Sequence, residues 1–194
     1  MTRWQLPALL VLVLMGFISE IIAAPNAAAA PRQNACEAMI LAAAAKWQVP
    51  AGILHSVGLI ESGRRGVLHP YALNIAGRTV FAESRQQALR EFKRARAQGQ
   101  DLIDLGCMQI NYHYHGAEFA SPADMLDPEQ NVDYAARFLH KLHQRHQSWT
   151  MAVARYHAGP DNDPAQRRYI CRVIRNLVVV GHGGWTPQAR AFCN

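Results

Sequence analysis

The chain has 194 residues, one domain's worth, with 18% charged residues and a formal net charge of +6. The basic residues are scattered and lack the aromatic–basic interleaving of single-strand binders, which argues against nucleic acid. An anionic polymer or a membrane surface is the better match for that charge.

Arg3 precedes an apolar run over residues 6–22, followed by Ala23, Ala24 and alanines at 27–30. This is the charged start, apolar stretch and small-residue cleavage zone of an export signal. The run is short for a spanning helix, so residues 1–30 are read as a cleaved signal and not as a retained anchor. The Ala/Pro-rich stretch 24–33 is a flexible lead-in, and no later segment could span a bilayer.

Asn34 can cap an alanine-rich helix over 36–47. Pro50 then suits the first turn of a second helix, which runs out at Gly63. Leu54, Val57 and Gly58 share one face of it, and Glu61 is the next member of that series. The helix thus aims its one acid along its apolar face, in its last turn. Burial and the negative end of the helix dipole both oppose ionisation there and push the pKa up. A carboxylic acid that stays protonated near neutrality can give its proton to a leaving oxygen. The same residues also fit an acid frayed into solvent, and the helix alone does not choose between them.

Residues 64–70 read as loop, and 71–75 and 78–81 as a short β-hairpin about Ala76-Gly77. Ser84 and Gln87 form a capping box that opens a helix with Leu89, Phe92 and Ala95 on its apolar face, ending at Gly99. A short apolar segment, 102–105, leads into Gly106-Cys107-Met108-Gln109-Ile110-Asn111. Asp101 and Asp104 before it read as loop caps. Asp127-Pro128 starts a helix that buries Val132, Ala135, Leu139 and Leu142. Ser148 or Thr150 starts another, through Met151 and Ala154 to Tyr156, broken at Gly159-Pro160. Asp163-Pro164 repeats the cap-and-proline device before a stripe of Ile170, Val173, Ile174 and Leu177. A glycine-rich tail with Trp185 and Cys193 follows. The sum is a mostly helical single domain with a small β excursion.

Cys36, Cys107, Cys171 and Cys193 form no C-x-x-C pair, which argues against a zinc site. An even count in an exported chain reads as two disulfides, with three pairings open; the preferred one joins Cys36 to Cys107 and Cys171 to Cys193. His113 and His115, and His140, His143 and His146, have no acid or cysteine nearby to complete a ligand set, so they read as solvated surface. No metal and no cofactor are expected. Arg90, Lys93, Arg94 and Arg96 make a basic helix face able to touch an anionic wall polymer.

Three blocks now stand in order: Glu61-Ser62-Gly63, then 106–111, then Ala154-Arg155-Tyr156-His157-Ala158-Gly159. Their order and separation resemble the lytic transglycosylases of the soluble type (SLT domain), relatives of goose-type lysozyme that cut the glycan strands of bacterial peptidoglycan. The Glu-Ser pair is common; the Gly-x-Met-Gln-Ile-Asn block is specific. Asn131, Tyr134 and Leu139 resemble the family's next helix, and Tyr169 with Val173 its last. The resemblance implies a mainly α, lysozyme-like α+β domain over 31–194 with a small hairpin insertion. It also implies an exported, monomeric enzyme of the periplasm or cell envelope, free of the membrane after signal cleavage. Its partners would be glycan strands and components of a secretion, conjugation or pilus machine.

By the same resemblance Glu61 is the single acid/base. It protonates the glycosidic oxygen, then takes the proton of the C6 hydroxyl of N-acetylmuramic acid as that hydroxyl closes on C1 to give a 1,6-anhydro end. A lone acid is an exception to the two-carboxylate scheme. Ser62, Met108, Gln109, Asn111, Tyr156 and His157 are the implied substrate contacts, with the Tyr156 hydroxyl aimed at Glu61. His157 stands where the family usually has asparagine, and the spacer from Glu61 to Gly106 is long. The competing expectations are a hydrolytic muramidase on the same fold and a non-catalytic glycan-binding part of a secretion apparatus.

Overall fold

The computed structural model describes residues 34–159 and 162–194. The expected signal at 1–30, and Pro160 of the expected helix break, lie outside the described residues. The described residues pack as one unit.

Side-chain caps start most of the helices. Asn34 accepts from the Cys36 amide (2.9 Å) to open α1 (Ala35–Trp47). Pro50 occupies the N-cap of α2 (Ala51–Glu61), one position outside the first turn expected for it. Strands β1 (Ala72–Ile75) and β2 (Arg78–Phe81) pair as the expected hairpin. Ala76 and Gly77 at its tip both have positive φ (49° and 88°), as a two-residue turn matched to strand twist requires. Ser84 accepts from the Gln87 amide (3.2 Å), and the Gln87 side chain accepts from the Glu83 amide (2.9 Å), opening α3 (Arg85–Ala97).

The hairpin is half of a larger sheet. Strands β3 (Ile103–Leu105) and β4 (Ile110–Asn111) extend it to four antiparallel strands in the order β2-β1-β3-β4. Leu73 faces Leu105 and Leu105 faces Ile110 in register. The stretch to the next long helix, expected as loop, holds α4 (Tyr112–His115), a 3-10 turn (Gly116–Glu118) and α5 (Pro122–Met125).

Asp127 caps α6 (Pro128–His146), whose expected stripe of Val132, Ala135, Leu139 and Leu142 is buried. Ser148 caps α7 (Trp149–His157). Helix α8 (Asp163–Val179) is capped by Asn162, which accepts from the Ala165 amide; Asp163 is its first residue and not its cap. The expected tail carries a further helix, α9 (Pro187–Cys193), with Thr186 as its cap.

Helix α2 packs against α1 and α8, while α6 packs against α1 and α7. Leu54 and Val57 of α2 are fully buried. Each such side chain contributes roughly 1.5–3 kcal/mol of burial. The cysteines pair as Cys36–Cys107 and Cys171–Cys193. The first ties α1 to the β3–β4 turn, and the second ties α9 to α8. The protein is therefore mainly helical with a small antiparallel sheet, and that sheet faces the C-terminal end of α2.

Candidate active site

A groove of about 350 Å³ opens at that end. Glu61 contributes the acid from the last turn of α2, and β1 and β3 contribute Asn74 and Asp104. Gln109 and Asn111 come from the β3–β4 turn and β4, and Tyr156 and His157 from the last turn of α7. Tyr114, His115 and Phe138 complete the far wall.

Glu61 reaches the groove because it continues the buried face of Leu54, Val57 and Gly58. Burial raises its pKa to about 7; the negative charge of Asp104 pushes the same way, while the Tyr169 hydroxyl and the Arg172 guanidinium oppose it. Half of its population is thus protonated near neutral pH. Tyr169 of α8 donates its hydroxyl to Glu61 Oε1. That leaves the other carboxyl oxygen to carry a proton toward the groove.

The expectation that Tyr156 orients Glu61 is corrected. The Tyr156 hydroxyl donates to the Met108 carbonyl (2.8 Å), and its ring lines the groove. Tyr169 does the orienting, from a position 108 residues away in sequence. It is 1% exposed, and its stripe on α8 gives no local sign of that role.

Two other expected substrate contacts lie under the groove and not on its surface. Ser62 is 2% exposed; its hydroxyl donates to the Cys107 carbonyl (2.6 Å) and accepts from the His69 amide (3.1 Å). It pins the end of α2 to the β3–β4 turn. Met108 is fully buried and lies against Gly58, where a Cβ would stand 3.0 Å from the methionine sulfur. It is a core residue, as its alternation with Ile110 suggests without the family.

Gln109 and Asn111 do line the groove. Gln109 sits at φ 46°, and its amide nitrogen donates to the Ala72 and Gly106 carbonyls, both at 3.0 Å. What it can offer a ligand is its carbonyl oxygen. Asn111 caps α4 through its side-chain oxygen and donates to Asp104 Oδ1 (2.7 Å). His157 stacks flat on Tyr169, with ring centroids 4.2 Å apart. Burial, then the charges of Arg172 and Arg168, lower its pKa, so the ring is neutral at pH 7 and can both donate and accept.

Asp104, expected as a loop cap, is the second carboxylate of the groove. It is on a strand, not a loop, and lies in the groove beside Glu61. Burial raises its pKa against the hydrogen bonds from Asn111 and Asn74. Its partner Asp101 instead pairs with Arg96 on the surface. A three-residue strand has too few alternations to announce itself, so only the pairing of β3 with β1 shows which way Asp104 faces.

Asn131 is a second residue whose role only the structure shows. Fully buried, it donates to the Leu105 (2.9 Å) and Met125 (2.7 Å) carbonyls and accepts from the Met108 amide (2.8 Å). Gly106, at φ 82°, packs so close that a Cβ would stand 2.6 Å from the Asn131 amide nitrogen. Glycine, asparagine and Ser62 together fix the turn that presents Gln109 and Asp104.

Two of the histidines flagged in the sequence pack against aromatic side chains. His115 bonds the Tyr134 hydroxyl (2.8 Å), and His143 stacks on Trp149. Among the described residues no group of three or more His, Cys, Asp or Glu gathers to hold a metal.

Comparison with curated proteins and with solved structures returns no match. A family model does match: the transglycosylase SLT domain, over residues 38–170. That span runs from α1 through the Glu61 helix and the 106–111 turn to Tyr169 and Ile170 of α8. The chain belongs to the transglycosylase SLT domain family.

Proposed function

We propose that this protein is a lytic transglycosylase that cleaves the bond between N-acetylmuramic acid and N-acetylglucosamine in peptidoglycan. The observation that carries the reading is Glu61: a groove-lining acid with a pKa of about 7, held through one oxygen by a buried tyrosine. Family membership supports peptidoglycan as the substrate class.

Protonated Glu61 gives its proton to the glycosidic oxygen as the bond from that oxygen to C1 breaks. The resulting carboxylate is stabilised by the Tyr169 hydroxyl and by the charge of Arg172. It then takes the proton of the C6 hydroxyl while O6 bonds to C1, which closes the 1,6-anhydro ring and restores the acid. No water is consumed. The nucleophile is already held near C1 and needs no separate site.

A second reading is favoured by Asp104. A second carboxylate in the groove could activate water or stabilise the cation, as hydrolytic glycosidases require. The Asp104 carboxylate is already engaged by the Asn111 and Asn74 side chains, so the intramolecular route, which needs no second base, is preferred. We further propose that residues 1–30 direct export to the periplasm, that 31–194 act there as a monomer, and that the protein serves a secretion, conjugation or pilus machine. Two disulfides support export. Among the described residues no helix is long and apolar enough to cross a membrane.

The test is Glu61→Gln. Clearance of purified sacculi should fall at least about a hundredfold. The fold should persist and gain stability at high pH. The folded pKa of about 7 lies above the ordinary 4.5, so the native state holds the proton more tightly. Its stability therefore falls as pH rises from about 4.5 to 7, and glutamine removes that loss. A gain on the order of 1–3 kcal/mol at pH 8, vanishing near pH 4, is expected in urea unfolding. Lysis at the wild-type rate by folded Glu61→Gln protein would overturn the assignment.

A further inference from the structure

Helix α8 exposes four arginines, Arg167, Arg168, Arg172 and Arg175. They line a cleft of about 370 Å³ beside the Cys171–Cys193 disulfide, which brings the end of α9 against it. No acidic side chain among the described residues lines this cleft, and none of the four forms an ion pair. Arg168, Arg172 and Arg175 stand four and three residues apart, so their like charges repel on one helix face. Arg167 is held rigid: it donates to the Phe192 carbonyl (2.8 Å) and lies over the Phe192 ring. A row of guanidinium groups with no carboxylate partner is an arrangement that an incoming carboxylate would relieve.

The cleft starts beside the tyrosine that holds Glu61: Arg168 and Arg172 flank Tyr169 on α8. His157 lines the groove and stacks on Tyr169, and it feels the charges of Arg172 and Arg168 from the cleft. Arg172 acts on Glu61 as well. The arginine row thus begins one residue from the tyrosine bonded to the groove's acid.

We propose that this cleft binds the carboxylates of the peptide stems carried by the glycan strand in the groove. The proposal rests on the glycan-cleaving reading of that groove. A stem is covalently tethered to the sugar being cut, so its carboxylates meet the arginines at high effective concentration. The cleft thus selects strands that still carry peptide over strands stripped of it.

The experiment compares kcat/KM on peptide-bearing glycan strands and on strands stripped by an amidase. The wild-type protein and an Arg168→Ala/Arg175→Ala double variant are both measured, with an Arg168→Lys/Arg175→Lys variant as the control that keeps charge but loses the fork. The wild type should prefer peptide-bearing strands by about tenfold or more. The alanine variant should bring that ratio near one, and the lysine variant should fall between. A ratio cancels any general loss of folded enzyme. A wild-type ratio of one, or an unchanged ratio in the alanine variant, overturns the proposal. So does an unchanged ratio combined with lost binding to phosphatidylglycerol vesicles, which would assign the cleft to a phosphate surface. A wild type that cuts neither strand would instead overturn the reading of the groove.

Discussion

Tyr169 decides how Glu61 works. Its hydroxyl favours the charged form of the acid, so removing it should raise the Glu61 pKa above its present value of about 7. Activity needs the protonated acid, and it therefore falls as pH rises through that pKa. Tyr169→Phe is expected to move this alkaline limb of kcat/KM upward, while lowering the rate at pH 6 about ten- to a hundredfold through loss of the donor that stabilises the carboxylate. An unmoved limb with an unchanged rate would show that the tyrosine is packing alone. At this scale the sequence showed one thing clearly: Leu54, Val57 and Gly58 point to a common face, and Glu61 follows them. It could not show Tyr169, because nothing in the periodicity of α8 links it to an acid 108 residues earlier. Nor could it separate Ser62 and Met108, which lie under the groove, from Gln109 and Asn111, which line it. Ser62 is tied down at the end of α2, and Met108 and Gln109 are neighbours in a tight turn that face opposite ways, which only tertiary packing decides.

The elements were legible to the extent that they are long. The stripe on α6, the caps at Asn34, Ser84 and Asp127, and the hairpin at Ala76-Gly77 follow from propensity and spacing. Strands β3 and β4, of three and two residues, do not, since pairing partners and not local pattern hold them. Helix α9 carries the same start signal as the others, Thr186 followed by Pro187, but at seven residues it is too short to show a periodic apolar face. The device that holds the strands in place is Asn131. Replacing it with alanine leaves the Met108 amide and the Leu105 and Met125 carbonyls without their buried partner. Asn131→Ala should cost at least about 3 kcal/mol in urea unfolding, since it strands three buried groups and each costs about 1–3. Because the same turn carries Gln109 and leads out of the strand of Asp104, lysis should fall even below the urea transition. Unchanged lysis would show that the groove tolerates movement of the turn.

The whole molecule combines a basic surface, two staples and a protonated acid in one groove. The disulfides close spans of 71 and 22 residues. By loop entropy these stabilise the fold by about 4 and about 3 kcal/mol respectively. Reduction should therefore lower the urea midpoint, and the Cys36→Ala/Cys107→Ala pair should lose more than Cys171→Ala/Cys193→Ala. Equal midpoints before and after reduction would contradict this. The central claim is that Glu61 alone serves as acid and then base, with the sugar's own C6 hydroxyl as nucleophile. Its most direct test is the mass of the products. Sacculi are digested with the purified protein, the fragments are treated with borohydride, and they are weighed before and after. Anhydro ends cannot be reduced, so the predicted result is unchanged masses for most fragments. Uptake of two hydrogens by most fragments would mean reducing ends, water as nucleophile, and Asp104 as its partner.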